Sequence, residues 1–276
     1  MNPKTTEEYF LFNVRSLGYA SDLLLLSFEG NVIDHGDVIQ TITEDNQDYY
    51  WGNFLVFPHP PKEGDHKRWL TRFKELFSDY PGVRHVALGW DGIDGEVGCV
   101  EPFTQDDFIL ERLAVMTVNA DTLKRPKSWH EQVIVKTLDS TEEWEAATQL
   151  QLTRNEDIPD EEFEPFKREQ MKWYRRLSEK GYGHWYGAWL DGQIVGDLGI
   201  FFGDTFGRFQ AVETHPDFRR RGIASTLVYQ ASQHAFSLHP EHTLVIVADD
   251  DSPAMRMYEG VGYQVTERKI ETFKRP

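Results

Sequence analysis

Cysteine, long hydrophobic runs and a basic leader are scarce or missing in this sequence. Cys99 is the single cysteine among 276 residues, so no disulfide can form within the chain, and a reducing compartment is predicted. The longest apolar run, residues 23–26, is far too short to cross a membrane. Residues 1–8 show no basic segment followed by an apolar core, which argues against a secretory signal. These absences predict a cytoplasmic protein with no membrane partner.

Positive charge is also in short supply. Lys and Arg number 29 against 46 Asp and Glu, which gives a formal net charge of -17. Nucleic acids and anionic membranes select for basic surfaces, so neither is expected as a partner. The acidic balance favours a cationic partner, although solubility alone explains it as well.

A hydrophobic fraction of 39% is sufficient for ordinary cores, and the length suits one large or two ordinary domains. Residues 124–130 are polar and contain a proline, which makes them the best linker candidate. We therefore expect one domain over residues 1–123 and a second over residues 131–276.

The second half alternates strand and helix signals. Asp191-Gly192 between two apolar runs predicts a hairpin. Asp139-Ser140 predicts the cap of a helix from about Thr141, and Ser252-Pro253 predicts a second helix start. In chain order the expected elements are a strand at 132–136, helices at 141–152 and through 163–177, strands at 184–190, 193–202 and 208–214, a helix ending near 238, a strand at 243–248, a helix from 253 and a strand at 263–273.

The stretch Arg219-Arg220-Arg221-Gly222-Ile223-Ala224 lies between an apolar, strand-like run and a helical one. The free N–H groups of a first helical turn, together with the helix dipole, favour bound anions. Glycine allows close backbone approach, and arginine suits phosphate oxygens. The pattern predicts a phosphate-binding turn, although three arginines on a solvated surface are common.

This turn and a later element resemble the GNAT superfamily of acetyl-CoA-dependent N-acyltransferases. The family pattern Gln/Arg-x-x-Gly-x-Gly/Ala is met at Arg219, Gly222 and Ala224. The later element is the segment 251–258, followed by Gly262-Tyr263, with Asp251 where many members have Asn. The resemblance covers roughly residues 131–275. It implies an α+β fold with mixed, mostly antiparallel twisted sheets flanked by helices in three layers.

The resemblance also implies roles for single residues. Tyr258 would be the general acid that protonates the coenzyme A thiolate, and a backbone N–H near Val212 would polarise the thioester carbonyl. Glu213 would be the base or would hold a cationic acceptor; alternatively it is a carboxylate paired with an arginine such as Arg208. Asp197 is a second candidate base. The acetyl-CoA contacts would come from Ala211, Val212, Thr214, Arg219, Arg220, Arg221, Gly222, Ile223, Ala224, Ser225, Asp251 and Ala254.

The acceptor is less well defined. The acidic run Glu156, Asp157, Asp160, Glu161 and Glu162 would suit a cationic amine, although such runs are more often simply solvated. The histidines of the second half show no metal-ligand spacing, so no metal is expected.

The first half resembles a degenerate copy of the same unit. Val56-Phe57-Pro58-His59-Pro60 can be superimposed on Val212-Glu213-Thr214-His215-Pro216, with similar spacing to the elements that follow. Coincidence between two α/β stretches is the alternative. Glu63 and Asp65 stand where the arginine turn would be, and like charges repel. We therefore expect no coenzyme A in residues 1–123.

Three functions remain open from the sequence. The first is an N-acetyltransferase acting on a small-molecule or peptide amine by direct transfer in a ternary complex. The second is a non-catalytic acyl-CoA-binding regulatory protein. The third is an interaction protein that binds a partner through the aromatic cluster Tyr49-Tyr50-Trp51, although such clusters are more often buried.

Overall fold

A computed structural model of the chain describes residues 13–29, 31–153 and 160–276, with side chains described from residue 163 in the last range. The chain divides into two compact units. The first comprises Met1–Val115, Val247–Asp250 and Val265–Pro276, and the second comprises Met116–Ile246 and Asp251–Gln264. This division differs from the expected one at residues 124–130, because the C-terminal strand belongs to the first unit.

The first unit is built on a mixed sheet. Its strands are β1 (Val32–Asp34), β2 (Ile39–Thr41), β3 (Leu55–Phe57), β4 (Val86–Trp90), β5 (Ile109–Val118) and β11 (Gln264–Lys274), and its helices are α1 (Leu17–Ser27), α2 (Asp65–Leu76) and α3 (Glu101–Thr104). The strand order is β1-β2-β3-β4-β11-β5. Strands β1–β3 and the pair β4–β11 are antiparallel, whereas β3 and β4 are parallel.

Helices cover both faces of this sheet. On one face Trp69 of α2 is fully buried and stacks on Phe57, with ring centroids 3.9 Å apart. On the other face the hydroxyl of Tyr19 in α1 donates to the carbonyl of Ile270 at 2.7 Å and lies over Gly89. Successive strand residues point to opposite faces, so this sheet can pack a helix on each side. The cluster Tyr49-Tyr50-Trp51 packs partly buried against this unit, through His85 and Phe273.

In its described residues the second unit has a sheet of five strands with four α-helices. The strands are β6 (Ile134–Thr137), β7 (Gly183–Leu190), β8 (Gln193–Phe202), β9 (Phe206–Thr214) and β10 (Thr243–Asp249), and the helices are α4 (Thr141–Leu152), α5 (Asp160–Glu179), α6 (Ile223–Leu238) and α7 (Pro253–Val261). The strand order is β10-β9-β8-β7-β6. The first four strands in chain order are antiparallel, and β10 runs parallel to its neighbour β9.

Two neighbouring residues of β8 show the three-layer arrangement of the second unit. Asp197 reaches Gln151 of α4 on one face, whereas a Cβ at Gly196 would lie 3.4 Å from Ile223 of α6 on the other. Helix α5 packs on α4 and β7, and helix α7 packs on α6. The α+β class with mostly antiparallel sheets flanked by helices, expected from the sequence, is confirmed.

Local signals in the sequence have the predicted structural effects. Ser140 caps α4 by a capping box with Glu143, and Ser252 accepts the N–H of Met255 at the start of α7. The turn at Asp191-Gly192 places both residues at positive φ, as a tight hairpin requires. Within the described residues no helix is long and apolar enough to cross a membrane.

Residues 124–130, predicted as a linker, form a packed strap within the second unit. At one end the N–H of Lys124 donates to the carbonyl of Val261, at the end of α7, at 2.8 Å. At the other end the N–H of His130 donates to Thr226 in the first turn of α6 at 3.0 Å. The guanidinium of Arg125 lies 4.3 Å from the centre of the Trp129 ring. Composition alone did not reveal these backbone contacts.

A buried cation holds α1 against β11 in the first unit. The ammonium of Lys269 lies 2.6 Å from Asp22 and also pairs with Glu271, with only 4% of its side chain exposed. It lies 4.4 Å from the centre of the Tyr19 ring. Burial raises the pKa of Glu271 to about 7, against the opposing effect of the Lys269 charge.

Lys269→Met is expected to destabilise the protein by about 3–5 kcal/mol, because it leaves buried carboxylates without their cation. Lys274→Met on the same strand is the matched control, since Lys274 pairs with the half-exposed Asp106 and its loss changes stability little. Chemical denaturation followed by circular dichroism measures both. Equal effects of the two substitutions would contradict the assigned role of Lys269.

Candidate functional site

Strand β9 has an open edge in its second half. The parallel ladder between β9 and β10 joins Phe206 to Thr243, Gly207 to Leu244 and Arg208 to Val245, and in the described part of the chain it goes no further. Residues 209–214 therefore face that side without a paired strand. An extended ligand can add to such an edge through main-chain hydrogen bonds.

A bulge lies in the same half of β9. Asp197 pairs with Glu213 and Gly199 with Gln210, so Leu198 stands opposite two residues, Ala211 and Val212. Ala211 has φ +45°, the left-handed region that residues with a Cβ rarely adopt. The carbonyl of Ala211 accepts a hydrogen bond from Nε2 of Gln151 at 2.8 Å. Bulges of this kind bend a strand and change the direction of its peptide groups.

Asp197 lies fully buried beside this bulge. Its Oδ1 accepts from Nε2 of Gln151 at 2.7 Å and its Oδ2 accepts from Nε1 of Trp185 at 2.9 Å. Burial raises the pKa of Asp197 to about 8, although both hydrogen bonds favour the charged form, and the nearby Glu213 adds to the rise. Asp197, the second candidate base of the sequence analysis, thus has no exposed surface in this structure.

Glu213 is buried in the second half of β9 and contacts the arginine turn. Its Oε1 lies 3.3 Å from a guanidinium nitrogen of Arg219 and accepts the N–H of Thr214 at 2.9 Å. Arg219 also donates to the carbonyl of Thr214 at 3.2 Å. The sequence allowed that Glu213 pairs with an arginine, with Arg208 as an example. In the structure the arginine that pairs with Glu213 is Arg219. Arg219, which the sequence analysis placed at the phosphate, contacts this carboxylate in the structure.

The turn before α6 has the backbone geometry of an anion site. Arg220 and Gly222 have φ +62° and +79°, and Gly222 caps the helix. The first helical hydrogen bond runs from the N–H of Thr226 to the carbonyl of Gly222. For the N–H groups of residues 220–225, the described residues supply no backbone acceptor. Several donors therefore converge at the positive end of a 16-residue helix.

Glycine is required at position 222 for a second reason. A Cβ there would lie 3.0 Å from backbone atoms of Ser128 and Trp129 in the strap. Ser225, expected to contact phosphate, donates its hydroxyl hydrogen bonds to the carbonyls of Ser128 and Gly222. The strap thus fixes the first turn of α6, and the side chain of Ser225 is used for that contact.

The remaining arginines of the turn are exposed. The guanidinium of Arg221 lies 5.0 Å from the centre of the Phe218 ring, and Arg220 is exposed at the left-handed position. Ile223 is buried against β8, whereas Ala224 is partly exposed in the first turn of the helix. Open N–H donors beside two exposed guanidinium groups fit the pyrophosphate of a nucleotide-like ligand.

Helix α7 carries the predicted acid. Tyr258 is 6% exposed, and its ring centre lies 6.2 Å from that of Tyr263. Tyr263 in turn contacts Phe209 of β9, with ring centres 6.0 Å apart, and its hydroxyl bonds to Ser232 of α6 at 2.9 Å. Asp251, at φ +60°, and Ala254 are exposed at the start of the helix. An aromatic chain thus joins α7 to the open strand.

The corresponding turn of the first unit is built differently. Gly64 caps α2 at φ +87°, as Gly222 caps α6. There the carboxylate of Asp65 accepts the N–H of Lys62 at 2.9 Å and pairs with Arg68 at 2.8 Å. A carboxylate of the protein itself therefore lies where an anion would bind. A cavity of about 680 Å³ lies beside this turn, lined by Phe57, His59, Lys67 and Arg72 among others.

Part of the expected acceptor site lies outside the described residues. Glu156 and Asp157 lie outside the described residues, and the side chains of Asp160, Glu161 and Glu162 lie outside them as well. Among the side chains that the structure does describe, no group of three or more His, Cys, Asp or Glu could hold a metal ion.

Residues 144–263 match the model of the acetyltransferase (GNAT) family. The resemblance inferred from the sequence is thereby confirmed, and the family supports acyl transfer as the class of reaction. The search of curated proteins found no match.

Solved structures resemble most of the chain. A conserved protein of unknown function from Staphylococcus epidermidis has a TM-score of 0.71 at 14% identity, covering 89% of this chain and 93% of that one. A GCN5-related N-acetyltransferase from Kribbella flavida gives 0.63 at 16% identity, with 93% and 96% covered. A tandem GNAT protein from the clavulanic acid biosynthesis pathway gives 0.54 at 10% identity, with 93% and 94% covered. At these identities the likeness concerns the fold, and it fits a tandem arrangement.

Asp197→Asn is expected to change how stability depends on pH. The folded pKa of about 8 lies above the ordinary value of about 3.9, so the folded state holds more protons and loses stability as pH rises between them. The wild-type advantage over the variant should therefore shrink from about pH 5 to about pH 8. Thermal unfolding measures this, with the exposed Asp204→Asn as control; a pH-independent difference would contradict the assignment.

Proposed function

Because residues 144–263 match the acetyltransferase (GNAT) family, we propose that the protein transfers an acetyl group from acetyl-CoA to a primary amine in a ternary complex. The observation that carries the proposal is the combination of an open, bulged strand edge with an anion-binding helix start in one unit. Together they suit a donor that has both an extended amide-containing arm and a pyrophosphate.

The donor would lie along β9 and end at α6. The amide groups of the pantetheine arm would pair with the edge formed by residues 211–214. The N–H groups of residues 220–225 and the exposed Arg220 and Arg221 would hold the pyrophosphate. Asp251 and Ala254, at the exposed start of α7, would contact the arm from the other side. Arg219 is assigned to Glu213 because its guanidinium already contacts that carboxylate.

The reaction forms a C–N bond and breaks the C–S bond of the thioester. Holding both reactants in one complex removes most of the entropic cost of the encounter. The N–H of Val212 would stabilise the negative charge that develops on the carbonyl oxygen. Glu213 would accept the proton that the attacking amine loses, directly or through water. Tyr258 would donate a proton to the departing thiolate.

The acceptor is proposed to be a cationic small molecule or peptide amine. The net charge of -17 would attract such a substrate and disfavours nucleic acid. Glu213, buried beside the open edge, supplies a carboxylate near the reaction centre. The single, exposed Cys99 agrees with the proposed cytoplasmic location.

A panel of primary amines, with release of free coenzyme A thiol as the readout, tests the proposal. Turnover with at least one amine, above the rate of acetyl-CoA hydrolysis, is the expected result. Calorimetric titration with acetyl-CoA separates the alternatives. Binding without turnover would favour a non-catalytic acyl-CoA-binding regulatory protein, and absence of binding would refute both functions.

Tyr258→Phe is expected to lower kcat by about 10²-fold or more, because the thiolate then leaves without its proton donor. The KM for acetyl-CoA should change little, since the ring is kept. Tyr263→Phe is the matched control: its hydroxyl bonds to Ser232, and burial raises its pKa further above the ordinary value. Steady-state kinetics measures both, and full turnover in Tyr258→Phe would exclude the acid role.

Gly222→Ala is expected to weaken acetyl-CoA binding by about tenfold or more. The left-handed backbone costs an alanine roughly 1–2 kcal/mol, and the added Cβ would press on the strap backbone at Trp129. Gly260→Ala in α7 is the control, because a Cβ added there would have no heavy atom within 4 Å. Calorimetric titration of both variants with acetyl-CoA checks the difference; equal affinities would contradict the role of the turn.

A further inference from the structure

Gln151, at the end of α4, touches the strained part of β9 and was not singled out by the sequence. Its Nε2 donates to the carbonyl of Ala211 at 2.8 Å and to Oδ1 of Asp197 at 2.7 Å, and only 4% of the residue is exposed. We propose that Gln151 is a positioning residue that aims the backbone N–H of Val212 at the reacting carbonyl. The inference rests on the proposed function and concerns the same site.

The geometry of one peptide group carries the proposal. The carbonyl of Ala211 and the N–H of Val212 belong to the same planar peptide, and no cis peptide bond occurs among the described residues. In a trans peptide these two groups point in opposite directions. By holding the carbonyl oxygen on the α4 side, Gln151 therefore fixes the direction of the N–H on the other side.

The backbone needs such a clamp at this position. Ala211 adopts φ +45°, which is unfavourable for a residue with a Cβ and persists only when its surroundings enforce it. One amide nitrogen with two hydrogens can bridge the strand and a second anchor. That anchor is Asp197, whose other oxygen is fixed by Trp185 at 2.9 Å. Glutamine is suited to this task because its Nε2 supplies both hydrogens and its chain spans from the helix to the strand.

The same hydrogen bond has an electronic effect. A donor at the carbonyl oxygen polarises the peptide and makes its N–H a stronger donor, since hydrogen bonds in a chain reinforce one another. The N–H of Val212 would thus be both oriented and strengthened for the developing oxyanion.

Gln151→Met keeps the length of the side chain and removes the donor. We expect kcat to fall roughly 10- to 100-fold, while the KM for acetyl-CoA changes less than about threefold. Gln149→Met is the matched control: Gln149 lies on the exposed side of the same helix, and its Nε2 donates to Glu145 at 2.8 Å. Thermal unfolding of each variant shows that activity is measured on folded protein.

A second substitution separates positioning from general stability. Adding Ala211→Gly to Gln151→Met should raise kcat at least about fivefold over Gln151→Met alone, because glycine accepts positive φ without the clamp. Ala211→Val, which disfavours the bulge without removing a buried polar group, should lower kcat as Gln151→Met does. If Gln151→Met does not fold, Ala211→Val tests the proposal in its place.

Three results would overturn the proposal: wild-type kcat in Gln151→Met, a loss that glycine at position 211 does not relieve, or an equal loss in Gln149→Met. If the wild-type protein acetylates no amine in the panel, the proposed function fails separately. In that case the NMR chemical shifts of the backbone amide nitrogen and proton of Val212 test whether Gln151 orients this peptide group. A change in Gln151→Met that reverses in the double variant supports it, and unchanged shifts refute it.

Discussion

The second unit depends on one constraint: β9 must stop pairing with β10 and still keep its second half in a fixed direction. The ladder ends after Arg208, and the bulge at Ala211 follows within a few residues. A strand that leaves its neighbour in this way loses the main-chain hydrogen bonds on that side, although β8 still pairs with it as far as Thr214. Contacts from α4 replace them on the opposite side. The placement of Glu213, Val212 and the arginine turn all follows from that bend.

The two units share the backbone geometry of one helix start but differ in the side chains around it. Each has a left-handed glycine at the start of a helix that follows a strand, Gly64 in one and Gly222 in the other. In the first unit the carboxylate of Asp65 accepts the N–H of Lys62 and pairs with Arg68, so a negative charge of the protein itself lies at the helix start. In the second unit the corresponding donors stay open, and Arg219 turns back to Glu213. Shared backbone geometry with different side-chain chemistry agrees with an origin by duplication.

Local features of this fold were readable from the sequence. The caps at Ser140 and Ser252 and the hairpin at Asp191-Gly192 act within a few residues, so their effect does not depend on the rest of the chain. The role of Gln151 was not readable, because its partners lie 46 and 60 residues away and nothing in α4 marks it. The contact of Arg219 with Glu213 was not readable for a related reason: an arginine suits a phosphate and a carboxylate equally well, and the sequence does not show which lies nearby. The packing of the strap was not predicted because it depends on backbone hydrogen bonds, which leave no pattern in the side chains.

The place of β11 in the first unit has a consequence for the order of folding during synthesis. Strand β11 comes from the last residues of the chain, yet it lies between β4 and β5 in the sheet. While the ribosome is still making the second half, those two strands have no partner on their facing edges. Open strand edges of this kind are prone to pair with other chains. The sheet of the first unit can therefore be completed only after residues 264–274 have been synthesised.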